Sequence, residues 1–463
     1  MTSRRTDTRT DHRSKRSGMI TVAVAGMAAG VLAAAGAARA DNAPPAPQKM
    51  PAAGNEGEIN KYAQAMLADG RKIFRSDTFG SEAFWGDVLG LHKAIAGEKN
   101  SGVGPGVSPR TALSVGLKVD VDALPADLKK QLGAGKVNLD DPATTVALLK
   151  LNAVVGVTAF ANADGSVRSM GIQCALCHST VDDSFAPGIG KRLDGWANRD
   201  LNVGAIVGLA PNLKPIGDML GVDVATVRKV LASWGPGRYD ALLDKDGKAF
   251  RPDGKQAGTL IPPAFGLAGI NLSTWTGFGS VPYWNAYVAT TQMHGMGTFV
   301  DARFGASKKQ YPVAQKTNSG NTRAASDDTT AKLPALQYYQ LSIPAPKAPA
   351  GSYNAAAFAR GREVFNNKGR CAGCHVPPLF TEPGSGLHSA KEMGVDSFSA
   401  DRSPTHAYRT APLAGLWSHQ KGGFYHDGRF GTLLDVVNHY DATLKLKLAT
   451  EEKSDLVEYL KGI

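Results

Sequence analysis

Cysteine is scarce in this chain: four cysteines stand among 463 residues. They fall into two pairs with one pattern, two thiols separated by two residues and followed directly by a histidine. The pairs are Cys174-Ala-Leu-Cys177-His178 and Cys371-Ala-Gly-Cys374-His375. Because the two motifs use every cysteine, no thiol is left over, and we expect no disulfide to hold the fold.

The CxxCH pattern is typical of covalent c-type haem attachment. Each thiol would bond one vinyl group of the porphyrin, and the adjacent histidine would offer a ring nitrogen to the iron. The pattern therefore predicts two covalently bound haem c groups, with His178 and His375 as proximal iron ligands. A zinc site or a redox-active thiol pair is the alternative. Zinc needs four ligands around one metal, and a redox pair does not need the histidine.

A basic stripe with interleaved aromatic residues is also absent, which argues against a nucleic-acid-binding surface. Residues 1–40 hold seven Lys and Arg and two Asp and Glu, so the net charge of +11 falls to +6 without them. This segment has a basic start, an apolar run over 19–38 and Ala38-Arg39-Ala40 at its end. It predicts a cleaved signal peptide and a periplasmic or secreted protein without a stable membrane span. A membrane anchor is the disfavoured alternative, because the run is rich in alanine and glycine.

The apolar periodicity predicts a mainly α fold with long loops and small β-hairpins in the N-terminal half. Helices are expected over 58–74 and 353–367, and a closing helix is expected to have Thr450 as its N-cap. The predicted divisions are a flexible lead (41–56), an N-terminal haem domain (57–305), a polar linker (306–351) and a C-terminal cytochrome c domain (352–463).

Two loops of the N-terminal half are informative. Residues 154–173 alternate as two strands around Asp164-Gly165, which predicts a hairpin whose second strand leads into the first motif. Asp244-Lys-Asp246-Gly247 resembles the start of a calcium loop, but its glycine stands at position four where an EF-hand needs it at six. We therefore interpret it as a hairpin loop, and calcium stays an open option.

The sixth ligand of each iron decides whether a haem transfers electrons or reacts with oxygen or peroxide. No histidine occurs between His178 and His294. The first iron is therefore predicted to be open or weakly ligated, with Met293, Met296 or His294 as the candidates that would otherwise complete it. Downstream of the second motif, potential ligands are plentiful.

The C-terminal part resembles a known superfamily. The segments are Tyr408-Arg-Thr-Ala-Pro-Leu, Gly423-Phe-Tyr-His-Asp-Gly and Thr432-Leu-x-x-Val-Val-x-x-Tyr440. They are similar to bacterial di-haem cytochrome c peroxidases, a group that includes the methylamine dehydrogenase maturation enzyme and the di-haem rubber oxygenases. The resemblance implies that the residue at or beside Tyr440 is the distal ligand of the second haem. Adjacent residues of a helix point about 100° apart, so only one of His439 and Tyr440 can bind the iron. His439 is the preferred ligand and Tyr440 the alternative.

The N-terminal half carries a second similarity, in Ile261-Pro-Pro-Ala-Phe followed by Pro282-Tyr-Trp284. It implies that Trp284 bridges the two haems for electrons and that Gln292 belongs to an acid/base pair above the open haem. The glutamate of that pair is absent, and the nearest carboxylate in sequence is Asp301. This absence predicts weak peroxidase activity with a cytochrome donor.

The spacing favours the rubber oxygenase branch within this superfamily. Phe299 lies fifteen residues after Trp284, where that branch has a phenylalanine in an apolar distal pocket. The two motifs are 197 residues apart, as in that branch, but only 88 residues follow His375, fewer than those enzymes have.

Together these features predict an exported di-haem oxidoreductase. O₂ or peroxide would react at the first haem beside Phe299, Gln292 and His294, and electrons would pass through Trp284 and the second haem. The expected partner is an electron donor or acceptor, either a protein or a small molecule, and an apolar substrate is a further option. The alternatives are an electron-transfer cytochrome with both irons six-coordinate, a peroxidase proper, and a gas sensor.

Overall fold

The computed structural model describes residues 52–419 and 421–463, and residues 59–463 form one compact unit. Helices dominate, so the prediction of a mainly α fold is confirmed. The α-helices are α1 (Ala52–Ser76), α2 (Leu91–Ala96), α3 (Pro109–Ser114), α4 (Ala126–Gly133), α5 (Pro142–Lys150), α6 (Ala175–His178), α7 (Val203–Val207), α8 (Lys214–Leu220), α9 (Val224–Trp234), α10 (Leu243–Asp246), α11 (Val281–Tyr287), α12 (Arg303–Ala306), α13 (Pro312–Thr317), α14 (Leu333–Ser342), α15 (Ala355–Asn366), α16 (Ala390–Met393), α17 (Phe398–Arg402), α18 (Leu433–Leu444) and α19 (Thr450–Gly462).

The strands are short and pair only two by two within the described chain. They are β1 (Val119–Asp120), β2 (Val157–Ala161), β3 (Val167–Ile172), β4 (Ser179–Val181), β5 (Ile189–Gly190), β6 (Arg192–Asp194), β7 (Arg238–Tyr239), β8 (Thr259–Leu260), β9 (Thr298–Val300) and β10 (Asn321–Arg323). Two π-helical segments, Ala83–Val88 and Val288–Gln292, complete the elements that matter for the site.

The predicted signal peptide and most of the predicted lead lie outside the described residues. The last part of that lead is helical, because α1 already begins at Ala52. The closing helix begins one residue earlier than predicted: Thr450 is its first residue, and the backbone N–H of Ala449 donates to the Glu452 carboxylate (2.7 Å). In the part of the chain that the structure describes, no helix is both long enough and apolar enough to cross a bilayer.

The predicted hairpin before the first motif is confirmed. β2 and β3 pair antiparallel from Val157 opposite Ile172, and the turn between them contains Gly165 at a φ of +80°. A second glycine, Gly156, fits this hairpin against the first motif. A Cβ atom there would come within 2.1 Å of the Leu176 Cα atom, so only glycine allows the two backbones to approach so closely.

The C-terminal part is held by α15 against α19. At Gly361 a Cβ atom would come within 2.0 Å of the Asp455 carbonyl oxygen, which shows how close the two helices lie. Around this contact Val364, Phe365 and Leu460 are buried in an apolar cluster. This pair of helices presents the second motif, which directly follows α15.

The segment 306–351, predicted as a polar linker, contains folded elements. Tyr311 and Leu336 are buried at 1% and 0% exposure, α13 and α14 lie within it, and β10 pairs with β9. Its polar composition reflects exposed faces of short helices rather than an extended chain. The division into two haem domains stays a prediction.

The stretch after β7 is the predicted hairpin loop, because it joins β7 to β8 and these strands pair antiparallel with Arg238 opposite Leu260. Its first part forms α10, a single helical turn that ends at Gly247 with a φ of +71°. Arg402 is buried there, with its guanidinium donating to Asp246 (2.7 Å) and Asp240 (2.9 Å). Since Asp246 is neutralised by arginine, this loop does not provide the calcium ligands that its sequence suggested.

Candidate haem-binding cavity

Both CxxCH motifs open onto one continuous cavity of about 540 Å³ with a mainly apolar lining. The chain brings the two motifs to the cavity from positions almost 200 residues apart. The six motif residues on its wall are Cys174, Cys177, His178, Cys371, Cys374 and His375. All four cysteines are free thiols in the structure.

The first motif forms α6 immediately after β3. The segment that follows β6 fixes it through the backbone. Gly195 N–H donates to the His178 carbonyl (2.8 Å) and Asn198 N–H to the Cys177 carbonyl (2.9 Å). Burial raises the pKa of the Cys174 and Cys177 thiols to about 12 and lowers the pKa of His178 to about 4. At neutral pH the motif therefore presents neutral thiols and a neutral imidazole.

These protonation states bear on the zinc alternative. A zinc site uses thiolates and four ligands around one metal. Among the described residues, the clusters that could hold an ion are Cys374 with Glu382 and His388, and Asp396 with His426 and Asp427. Neither contains the first motif. The first motif thus lacks the partners that zinc would need.

The second motif follows α15, and its histidine is oriented through the backbone. His375 Nδ1 lies 3.0 Å from the Phe380 carbonyl oxygen. A carbonyl accepts, so Nδ1 must carry the proton, and Nε2 is left with a free lone pair. Burial lowers the pKa of His375. A neutral imidazole with a free Nε2 on the cavity wall is suited to bind iron.

The structure separates the two candidates for the distal ligand of the second haem. Tyr440 lines the cavity, and burial raises its pKa to about 12. His439 is not among the lining residues, and its Nε2 lies 2.9 Å from the Met393 carbonyl oxygen. The turn of α18 thus places Tyr440 and not His439 on the cavity wall, which favours Tyr440, and the identity of the distal ligand stays a prediction. Tyr425 lies beside Tyr440 with ring centroids 6.2 Å apart.

Of the residues predicted around the first haem, the structure brings Gln292 and Trp284 to the cavity wall. Trp284 lies in α11, and its Nε1 is buried without a hydrogen-bond partner in the described chain. Gln292 ends the π-helical segment that continues α11. Such local widening of a helix is frequent at functional sites, where it reorients a side chain.

Phe299 and His294 are not on this wall. Phe299 packs in an aromatic cluster with Tyr283 and Tyr287, at centroid distances of 5.3 and 5.2 Å. His294 stacks on Phe84 at 3.7 Å, and burial lowers its pKa to about 4. Spacing along the sequence suggested both residues, but Phe299 lies in β9, and His294 follows the π-helical segment at a φ of +57°. Met293, directly before His294, does line the cavity.

A carboxylate that the sequence did not indicate lies beside Gln292. Gln292 Nε2 donates to Asp244 Oδ1 (3.2 Å) and to the Ala241 carbonyl (3.2 Å). Both partners accept, so the amide nitrogen faces them and the amide oxygen faces away. Asp244 also accepts from Lys245 Nζ (2.7 Å), a buried lysine 4.8 Å from the centre of the Tyr287 ring.

The carboxylate nearest in sequence, Asp301, is engaged elsewhere. It accepts from Tyr283 Oη (2.5 Å) and from the Arg303 guanidinium. Asp244 precedes Gln292 by 48 residues and comes from a different helix, α10. Only the tertiary fold reveals this pair, and no local spacing signal indicated it.

The cavity has the character that a haem requires. Its wall is mainly apolar, as a porphyrin face needs, while several buried polar atoms on it have no partner within the described chain. These are Ser273 Oγ, Thr274 Oγ1, Trp284 Nε1, Tyr425 Oη and His426 Nε2. Arg409 also lines it, and burial lowers the pKa of this arginine to about 10. Unpaired polar groups are costly to bury, so a group with a polar edge fits here.

Comparisons with known proteins give a partial match. No family model matches the chain. The methylamine utilization protein MauG of Methylorubrum extorquens is 28% identical over an alignment that covers 22% of this chain and 33% of MauG. The chain thus matches only about a third of that relative's length. This local similarity supports the resemblance to the di-haem cytochrome c peroxidase superfamily but does not extend to the rubber oxygenase branch.

Two solved structures show weak similarity. Hydrazine synthase of Kuenenia stuttgartiensis is 20% identical over 47% of this chain and 76% of that chain, with a TM-score of 0.26. A MauG-like protein associated with microbial copper homeostasis is 15% identical over 50% of this chain and 78% of that chain, with a TM-score of 0.30. These scores are too low for an argument from the whole fold.

Proposed function

We propose that this chain is a di-haem c-type redox enzyme of the peroxidase-like superfamily, in which O₂ or peroxide reacts at the first haem and the second relays electrons. The observation that carries the proposal is the single cavity onto which both CxxCH motifs open. When bound, one haem would supply an open iron for the oxidant and the other an electron store. His178 and His375 would hold the irons, and the four cysteines would hold the porphyrins.

The two ends of the cavity differ in a way that supports this division of labour. Tyr440 stands on the wall near the second motif, and the thiols of Cys371 and Cys374 contribute to its raised pKa. A tyrosine at the sixth position would close the second iron to small ligands. On the first side, Gln292 with Asp244 would position and accept a proton, the task of a general acid/base pair.

Trp284 supports electron relay between the two motifs. It lines the shared cavity and packs against Phe278 at 4.5 Å between ring centroids. Its unpaired Nε1 leaves the indole with no fixed hydrogen bond to the described protein. In this role Trp284 would pass electrons to the first haem from an external donor by way of the second.

The residues on the cavity wall favour a different oxidant from the one that sequence spacing suggested. Phe299 is buried in an aromatic cluster away from the wall, which weakens the case for an oxygenase pocket built on it. Asp244 beside Gln292 strengthens the case for proton-coupled reduction of peroxide. We therefore place peroxide above O₂ as the oxidant, and an apolar substrate is not needed to explain the site.

One observation favours a second candidate, an electron-transfer cytochrome. Met293 lines the cavity close to the first motif, where its thioether could complete the first iron. Both irons would then be six-coordinate, and neither would bind an external oxidant.

The test begins with the haem content by pyridine haemochrome, which should give two haems c per chain. The ferric protein is then mixed with one equivalent of H₂O₂ and followed optically. We expect a spectral change that decays on addition of an electron donor. Two haems with no response to H₂O₂ or O₂ would reject the enzyme and favour the relay cytochrome. Met293→Leu should then open the first iron.

A further inference from the structure

Three cationic or potentially cationic side chains meet near the first motif, contributed by different parts of the chain. Arg199 follows Asn198, whose backbone is hydrogen-bonded to Cys177, and Arg238 lies in β7. His419 comes from the C-terminal part, 220 residues after Arg199. Arg199 and His419 both line the cavity.

Several nitrogen atoms of this group are buried without a partner, whereas Nη2 of Arg238 donates to the Asp427 carbonyl (3.2 Å). Within residues 52–419 and 421–463, no hydrogen-bond partner exists for Nε and Nη1 of Arg199, Nε of Arg238 or Nε2 of His419. Nor does any carboxylate of these residues form a salt bridge with either arginine. The adjacent Asp200 is already paired with Lys118 (2.7 Å) and Lys421 (2.7 Å).

The electrostatics agree with two arginine charges, without a carboxylate partner, beside a neutral imidazole. Burial, and then the charge of Arg238, lower the pKa of Arg199 to about 10. Burial, and then the charge of Arg199, lower the pKa of His419 to about 3. A buried cation without a partner is strongly unfavourable, so such a cluster is expected to hold an anion in the working protein.

We propose that Arg199 and His419 on the cavity wall, together with Arg238, form a carboxylate-binding site that is occupied by a propionate of the haem at the first motif. A guanidinium presents paired N–H donors that match the two oxygens of a carboxylate. Neutral His419 adds one further donor at Nε2. The source of the carboxylate rests on the proposed function, because a haem would bring propionates into the cavity. The binding site itself rests only on the unpaired donors.

The proposal has an electrochemical consequence. A buried positive charge beside a haem stabilises the reduced iron relative to the oxidised iron. Removing the Arg199 charge should therefore lower the midpoint potential of the first haem. We expect the equilibrium between oxidised and reduced haem to shift at least tenfold, which is about 59 mV for one electron.

The experiment is a spectroelectrochemical titration of the full-length protein, with haem content measured in parallel. The variants are Arg199→Gln, Arg199→Lys and His419→Gln. The control is Arg110→Gln, because Arg110 is exposed and paired with Asp140 on the surface. We expect the tenfold shift in Arg199→Gln, a smaller shift in Arg199→Lys and His419→Gln, and none in the control. If Arg199→Gln fails to fold, the other two variants carry the test.

A second arm identifies the source of the carboxylate by adding sodium acetate. If a propionate fills the site, acetate changes neither the spectrum nor the potential of the wild type. Saturable acetate binding that weakens at least tenfold in Arg199→Gln would support the site with a free carboxylate as its occupant. The proposal is overturned if Arg199→Gln behaves like Arg110→Gln in both arms.

Failure of the proposed function would look different. A protein without haem would reject that function, while acetate binding measured by calorimetry would still test the three donors directly. In that case acetate binding lost in Arg199→Gln supports the site, and its absence in the wild type rejects it.

Discussion

The two CxxCH motifs have the same covalent pattern and different surroundings. The first follows a β-strand, is fixed by backbone hydrogen bonds to the segment after β6, and shares its cavity wall with Gln292, which donates to Asp244. The second follows a helix packed on the C-terminal helix and has Tyr440 on its cavity wall. In the proposed function, the motif therefore determines where a haem is attached, whereas residues distant in sequence determine what that haem can do.

The largest effect is expected when the cysteines of one motif at a time are replaced by alanine. Cys174→Ala with Cys177→Ala should halve the haem content and abolish CO binding by the reduced protein. Cys371→Ala with Cys374→Ala should also halve the haem content but retain CO binding at the first haem. Haem is measured by pyridine haemochrome and CO by difference spectroscopy. Equal loss of CO binding in both double variants would remove the proposed asymmetry.

The next prediction concerns the wall of the second site. Tyr440→Phe should open the second iron, so that the reduced protein binds two CO per chain instead of one. The matched control is the adjacent residue: His439→Gln should leave one CO per chain, since the His439 imidazole is engaged by the Met393 carbonyl. If His439→Gln opened the iron and Tyr440→Phe did not, the order of the two candidates would be reversed.

The first site is probed by Asp244→Asn. This change removes the carboxylate that orients the Gln292 amide and could accept a proton. We expect the reaction of the ferric protein with H₂O₂ to slow about 100-fold, in the range of general acid–base catalysis. Stopped-flow absorbance measures the rate. Asp218→Asn is the control, because Asp218 is exposed and paired with Lys214. Equal rates in both variants would exclude a role for Asp244.

A smaller effect is expected on the free energy of unfolding at acidic pH, through His426 on the cavity wall. Burial lowers the pKa of His426 from 6.5 to about 4 in the folded protein. Between pH 6.5 and pH 4, His426 binds a proton in the unfolded chain but not in the folded protein. The free energy of unfolding therefore falls as the pH decreases from 6.5 towards 4. The full contribution is about 3 kcal/mol. The His426→Gln variant should lack this pH-dependent contribution to the free energy of unfolding.

Urea unfolding at pH 7 and at pH 4.5 tests this prediction. The wild type should lose more stability between the two pH values than His426→Gln. Exposed His406→Gln should behave like the wild type. An identical pH dependence in all three proteins would contradict the assignment.

Local patterns predicted those parts of the molecule whose determinants are close in sequence. The hairpin before the first motif follows from alternating residues around Asp164-Gly165, and α15 and α19 follow from helical periodicity. Residues 306–351 were predicted to be a linker because short helices with exposed polar faces have a composition similar to that of a linker.

Local sequence patterns predicted only part of the candidate site. Gln292 and Trp284, suggested by the resemblance, lie on the cavity wall, whereas Phe299 lies in β9 within an aromatic cluster. The roles of all three residues stay predictions. Arg199 and His419 reach the cavity wall from distant parts of the chain, and Asp244 reaches Gln292 in the same way. Such contacts have no signal in local sequence.

The most direct test of the asymmetry is the number of CO molecules bound by the fully reduced protein. The haem count comes from pyridine haemochrome, and the CO stoichiometry from a titration of the difference spectrum. We predict two haems and one bound CO per chain, with the CO lost in the Cys174→Ala and Cys177→Ala double variant. Two haems with no bound CO, or with two, would contradict the division into an open first haem and a closed second haem.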